Sequence, residues 1–346
     1  MNTADLQLDF HRRYGDSSAR LTITKGALPC TLLGRLDTPH SKSLSCGLSA
    51  CVQAAARALN GGLIKLESTD NDICEIFRLN DFSEHPSPFL RGIPKLLENS
   101  GFFGAEILCD STVPEYLDRS VPQKAAVFSA VMRLADRSPR DLRECARVCV
   151  GGAHTDSFVT AVSARRGYCI VQDKGEFKHL PLPLSGYRII CVHTDKPWRF
   201  DLAAVSEKEL RSLRRMHPSV CGIDDIAPEM LRGGKFGALY CLVRENARIE
   251  LACELLKACR LERFAALVNE SQADIERFLN PPPEYSFITR SLSGTQGCIC
   301  ARIEENGVFA IAEDSLVDYV ITQLQSDFEA QFGKALSFTV CDSGGE

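Results

Sequence analysis

No stretch of 18 consecutive apolar residues occurs in the chain, so nothing in it has the length and continuity of a membrane-spanning helix. The opening segment, Met1 to Gly15, is polar and charged where a secretory signal needs an apolar core, which makes the cytoplasm the expected location. A surplus of positive charge is missing too, since 40 Lys+Arg stand against 45 Asp+Glu for a formal net charge of -5. Such a chain has no basic field with which to hold a nucleic-acid backbone or an anionic membrane, and neither is expected as a partner. Zinc-finger spacing is also absent. The closest cysteine pairs, Cys298 with Cys300 and Cys145 with Cys149, have no second Cys or His pair at the required distance.

What the chain does have is 346 residues, enough for roughly two domains at about 150 residues each. Its 45% hydrophobic and 25% charged content is that of a folded soluble protein. The 16 cysteines are numerous but sit inside apolar runs, as at Cys169, Cys191, Cys241 and Cys253, where a reduced thiol serves as a small hydrophobe. His154, His179 and His193 have no carboxylates at metal spacing and are assigned no role.

Apolar spacing predicts a short helix from Leu6 to Tyr14, ended by Gly15. Strand-like runs follow at Arg20 to Thr24 and Pro29 to Leu36, then a polar loop from Thr38 to Ser45. Cys46 to Leu59 is small and apolar throughout and reads equally as a buried strand or a packed helix. Pro122 to Leu134 and Leu142 to Val150 read as helices divided by Ser138-Pro139. The period then changes to two, and Tyr168 to Asp173, Phe177 to Leu182 and Tyr187 to His193 predict an antiparallel meander. Ala238 to Lys257 and Leu261 to Leu279 carry helical faces close enough in sequence to form an antiparallel hairpin, stopped by Asn280 and three prolines. The end reads as a strand (Gly297 to Ile303), a turn at Asn306-Gly307, a helix (Asp314 to Phe332) capped by Asp314 and Ser315 and closed by Gly333, and a strand (Leu336 to Cys341). The mixture indicates an α+β protein.

Several of these segments resemble the galactokinases of the GHMP kinase superfamily. In the second half, Val243-Arg-Glu-Asn246 before an amphipathic helix, Leu261-Glu-Arg-Phe264, Val268-Asn-Glu-Ser271 and the SLSGTQGC of Ser291 to Cys298 are similar to that family's C-terminal domain, the last standing where the family has TGAGFGGC. In the first half, Phe10-His-Arg-Arg-Tyr-Gly15 resembles the family's first helix, and Gly34-Arg35-Leu36-Asp37 the start of its sugar motif GRVNLIGEHTDYNGG. Asp110-Ser-Thr-Val-Pro114 resembles the strand before its phosphate loop, and Asp156-Ser-Phe158 the segment holding its catalytic aspartate. The resemblance spans nearly the whole chain and implies the two-domain GHMP kinase fold, with a ribosomal S5-like domain over 1-200 and a ferredoxin-like domain over 201-346.

It also implies a site. By resemblance, Asp156 and Arg35 are the catalytic pair, in which the arginine lowers the aspartate's pKa and stabilises the transferring phosphoryl group. Asp37, Lys42 and Ala153 fall at substrate positions, Ser120, Lys124 and Gly294 at nucleotide positions, and Glu144 where the family has a magnesium ligand, so ATP and Mg are the implied cofactors of an active member. Each motif nonetheless departs from the pattern. The sugar-binding Glu-His-Thr-Asp is replaced by Ser41, Lys42, Ser43 and Leu44, which cannot accept hydrogen bonds from vicinal hydroxyls as paired carboxylates do. The phosphate loop PIGAGLSSSAA is replaced by Pro114 to Ala126, with no glycine, two acids at Glu115 and Asp118, and a donor removed at Pro122. Ser157 replaces a glutamine beside the aspartate, and Ala153 a glycine at the sugar. The leading expectation is a galactokinase-like protein with weak or no kinase activity that keeps a small-molecule site. An active sugar kinase with a changed nucleotide grip and a ligand-free scaffold for a protein partner are the alternatives.

Overall fold

A computed structural model describes residues 2–35, 41–70, 72–78, 104–139, 141–151, 154–195, 198, 200–231, 235–304 and 307–343. The chain divides into two compact units, one comprising Met1–Pro29 and Gly47–Ala164 and the other Cys30–Cys46 and Arg165–Gly344. The division is interleaved in sequence.

The first unit opens with helix α1 (Thr3–Tyr14), whose first turn is capped by the Asn2 side chain accepting from the N–H groups of Ala4 and Asp5. Its apolar face buries Leu6 and Phe10 against Ala55 and Leu108. Strands β1 (Leu21–Gly34) and β2 (Ser43–Ala58) follow, then β3 (Leu63–Ser68), β4 (Cys74–Arg78) and β5 (Ala105–Ser111). In this unit β4 pairs with β3, β3 runs parallel to β5, and β5 is antiparallel to β2 from Val52↔Ser111 to Ala58↔Ala105. The ambiguous Cys46 to Leu59 is therefore strand. Burial at nearly every position of β2 erased the alternation by which a half-buried strand is recognised.

Helices α2 (Ser120–Leu134), α3 (Leu142–Val150) and α4 (Thr155–Ser163) complete the unit, close to the spans expected for the first two. Phe128 of α2 meets Phe158 of α4 edge to face, with ring centroids 5.4 Å apart. β1 approaches α2 so closely that a Cβ on Gly26 would lie 1.9 Å from the Pro122 carbonyl oxygen, which restricts that position to glycine.

Glu106 on β5, 5% exposed, holds Arg57 at 2.6 Å and Lys65 at 2.9 Å, and Arg57 also donates to the Tyr14 and Gly15 carbonyls at the end of α1. Burial pushes the Glu106 carboxyl up, but the hydrogen bonds and charges of Lys65 and Arg57 outweigh it and hold the group below its usual range. The unfolded chain thus binds more protons in that window. The stabilisation is present above the ordinary glutamate pKa of about 4 and is lost as pH falls through the lower folded value. Glu106→Ala should cost about 3 kcal/mol in urea unfolding at neutral pH, because it strands two cations. The deficit should shrink below about pH 4. A deficit independent of pH would show that charge pairing is not its source.

In the second unit β6 (Tyr168–Asp173) pairs with β7 (Glu176–Pro181) and with Ser43 to Ser45 of β2. The third strand expected of the meander, β8 (Tyr187–His193), leaves that sheet. It lies between β11 (Ser337–Cys341) and β10 (Gly307–Glu313) in an antiparallel sheet of order β11-β8-β10-β9, with β9 at Cys298–Glu304. The correction has a physical reason: Ile189, Ile190 and Val192 are buried on both faces, a demand met by the second sheet and its helices.

Helix α5 (Leu202–Met216) precedes the expected hairpin of α6 (Gly237–Lys257) and α7 (Leu261–Leu279). The prolines that stop α7 also start a further helix, α8 (Pro283–Gly294), with proline in its first turn. Helix α9 (Val317–Phe332) is closed as expected by Gly333 in the left-handed region, but Leu316 is its N-cap residue with no side-chain capping bond, since Asp314 and Ser315 lie in a preceding 3-10 turn. Ile275, Ile288, Leu292, Ala310, Leu324 and Phe328 form the core between this sheet and its helices. Edge strand β9 is covered by α7. Asn269 donates to the Ile299 carbonyl and accepts from the Ala301 N–H, and Gln272 accepts from the Ile303 N–H.

Candidate functional site

The segment that resembles a phosphate loop runs from the end of β5 to the start of α2. Asp118 Oδ1 accepts the Ser120 N–H at 2.8 Å, so a carboxylate of the chain itself takes a donor at the helix start. Arg119, the N-cap residue, makes no capping bond with its side chain; its guanidinium pairs with Asp70 at 2.8 Å and with Asp72. Burial raises the Asp70 carboxyl, but the Ser68 hydroxyl, the Asp72 N–H and Arg119 together hold it below its usual range. Thr69 donates to Asp110 at 2.6 Å. The crevice lined by Ser68, Asp70, Asp72, Asp110, Arg119 and Gln123 contains about 10 Å³. That is near the space of one water, whereas small-molecule sites occupy several hundred Å³.

Lys124 is half-buried in the second turn of α2. Glu144 on α3 is 59% exposed and pairs with Arg147 one turn on, at 3.0 Å. Asp156 is in the first turn of α4, 9% exposed, and its partner in this unit is Arg143 of α3 at 2.6 Å. Ala153 lies outside the described residues.

In the second unit the Arg35 guanidinium donates to the Phe200 carbonyl at 2.9 Å and lies over the Trp198 ring, 5.8 Å from its centroid. Asp37 lies outside the described residues. Lys42 is held by Glu250 at 2.5 Å and Asp173 at 3.3 Å. Burial lowers its pKa, but those two carboxylates outweigh the effect and raise it. Its ammonium lines an open groove of about 510 Å³ between the β6–β7 hairpin and α6. Gly294 is the last residue of α8, so the SLSG of the expected glycine turn is helical and the turn is shortened to the residues before β9.

The motif residues of α6 and α7 are engaged in holding the chain. Glu245 accepts from the Gly34 N–H at 2.8 Å, from Arg248 at 2.7 Å and from Arg302 at 3.4 Å, while Asn246 accepts from the Lys42 N–H at 2.8 Å. Arg302 donates in turn to the Gly34 carbonyl and to Ser271. Burial lowers the pKa of Arg302, and Glu245 and Glu304 raise it back in part. The two ends of the Gly34 to Lys42 segment are thereby fixed. Arg143, Asp70 and Asp72 were not singled out in the sequence. Nothing in their spacing distinguishes them from ordinary surface charges, and their partners are distant along the chain.

The chain has the GHMP kinase fold. Over 99% of this chain and 98% of the other it is similar to the Lactococcus lactis galactokinase complexed with galactose, with a TM-score of 0.80 at 17% identity. The mevalonate kinase of Methanococcus jannaschii matches 94% of this chain and 99% of its own at TM-score 0.60 and 12% identity, and the mevalonate-3-kinase of Thermoplasma acidophilum 95% and 98% at 0.58 and 14%. No protein-family model and no curated protein matches the sequence. Among the described residues no helix is long and apolar enough to cross a membrane, and no group of three or more His, Cys, Asp or Glu is placed to hold a metal ion.

Proposed function

We propose that this is a galactokinase-like protein that has lost phosphoryl transfer and keeps a polar site for a sugar. The observation that carries the first part is the start of α2. A triphosphate is held at such a place by bare N–H groups and the positive end of a helix. Here Asp118 takes the Ser120 N–H, Pro122 offers no N–H, and Arg119 is engaged by two aspartates. These residues do not fit ATP with Mg. Glu144 pairs with Arg147 in solvent, which gives a magnesium ion no support there.

The second part rests on Arg35, whose guanidinium keeps donors able to hydrogen-bond hydroxyls, and on the galactose in the galactokinase of the same fold. Thermal melting with each ligand tests both parts, because a ligand of the native state raises the melting temperature by mass action. Mg-ATP at millimolar concentration should leave the midpoint unchanged, and one or more of a panel of monosaccharides should raise it. A rise with Mg-ATP would contradict the first part. A panel without effect would contradict the second and favour a scaffold for a protein partner.

A further inference from the structure

The open groove between the β6–β7 hairpin and α6 lies wholly within the second unit, and the function proposed above makes no use of it. Its volume of about 510 Å³ is that of a small-molecule site. One wall is a single stripe of α6, since Glu250, Cys253, Glu254 and Lys257 recur at helical spacing and all line it. Val171, Phe177 and Ile249 give it apolar surface. Four lysines and four carboxylates complete the lining, so it carries no net charge and favours neither a polyanion nor a polycation.

These charges are not equally available. Lys42 is held by Glu250 and Asp173, Lys174 by Asp224 at 2.8 Å, and Lys178 lies 4.0 Å from Glu176. Glu254 and Lys257 are left. Among the described residues neither side chain is in an ion pair or a hydrogen bond. They are opposite in sign and one turn apart, a spacing that sets Cβ atoms about 5–6 Å from each other. A ligand that satisfies both presents an ammonium and a carboxylate close together on an apolar body.

We propose that this groove binds a free α-amino acid with an apolar side chain, its ammonium on Glu254, its carboxylate on Lys257 and its side chain against Cys253, Ile249 and Phe177. A monosaccharide has hydroxyls in place of the two charges, and one residue of a peptide carries at most one of them. Exposed ion pairs contribute little, so the expected dissociation constant is about a millimolar. The site is separate from the sugar reading and stands or falls without it.

Cys253 reports occupancy. Burial raises its thiol pKa, and Lys257 and Lys42 lower it again in part, so it alkylates slowly from the groove that a ligand fills. Full-length protein is treated with iodoacetamide with and without L-leucine or L-phenylalanine, and each cysteine is followed by peptide mass mapping. Cys74, exposed on β4 in the other unit, is the internal reference. Amino acid at about ten times its dissociation constant should slow Cys253 roughly ten-fold, leave Cys74 unchanged and raise the melting midpoint. L-Leucinamide, which lacks the carboxylate, and 4-methylpentanoate, which lacks the ammonium, should protect far less. In Glu254→Gln and Lys257→Gln, both at exposed side chains, the ratio of rates with and without leucine should lose most of its protection. An unchanged Cys253 rate and midpoint with both amino acids, or equal slowing at Cys74, overturns the site. Protection that survives in both variants, or that galactose gives and the amino acids do not, overturns the assignment of its ligand.

Discussion

Glu245→Ala is expected to lower stability by about 3–5 kcal/mol in urea unfolding. The residue is 7% exposed and is the carboxylate at which Arg248, Arg302 and the Gly34 N–H converge. Its removal leaves Arg302, itself 2% exposed, without an acid in direct contact from α6, and leaves a buried backbone donor unpaired. Arg248 keeps Asp274, which limits the loss. Glu245→Gln preserves the acceptor toward Gly34 but not the charge, and should fall between wild type and alanine. A loss below about 1 kcal/mol for the alanine variant would mean that the network is solvated and only ornamental to the fold.

The second large effect concerns Asp156. If its carboxylate is chiefly the partner of Arg143, then Asp156→Leu strands a guanidinium whose side chain is 16% exposed and should cost about 3 kcal/mol. The double variant Asp156→Leu with Arg143→Met, which replaces both charges by apolar groups of similar size, should return to within about 1 kcal/mol of wild type. Non-additivity of that size is the signature of a pair. Equal or additive losses would show that Asp156 is held by something other than Arg143, and would return it to consideration as a group poised for chemistry.

Much of the fold was legible because the elements with one buried face announce themselves. α6 and α7 alternate at helical spacing, β6 and β7 at a period of two, and Gly333 ends α9 in the left-handed conformation that glycine adopts without strain. β2 was ambiguous since both of its faces are covered, and β8 was placed in the wrong sheet since pairing partners are chosen by tertiary packing. α8 was hidden behind prolines that read as a stop but serve also as a start.

The site was legible in a different way. Val243 to Asn246 and Val268 to Ser271 carried the clearest resemblance, and the structure shows a structural reason for those residues: Glu245 and Asn246 fix the ends of the Gly34 to Lys42 segment, while Asn269 cloaks the edge of β9 and Ser271 holds Arg302. Such contacts are demanded by the fold whatever the chemistry. The absence of glycine from Pro114 to Ala126 and the acids at Glu115 and Asp118 were readable in the sequence. The ion pairs of that segment were not, because Arg119 meets Asp70 and Asp72 only after the chain has folded back through 49 and 47 residues.

The most direct test of the central claim is phosphoryl transfer itself. Purified protein with Mg-ATP and galactose, followed by mass detection of galactose 1-phosphate, should show no product above a protein-free control. The expectation follows from the proposed reading of the start of α2, because each preorganised donor aimed at transition-state charge contributes about 3 kcal/mol, and there the Ser120 N–H is taken by Asp118 while Pro122 has none. Steady product formation on galactose that disappears in Asp156→Asn would contradict it.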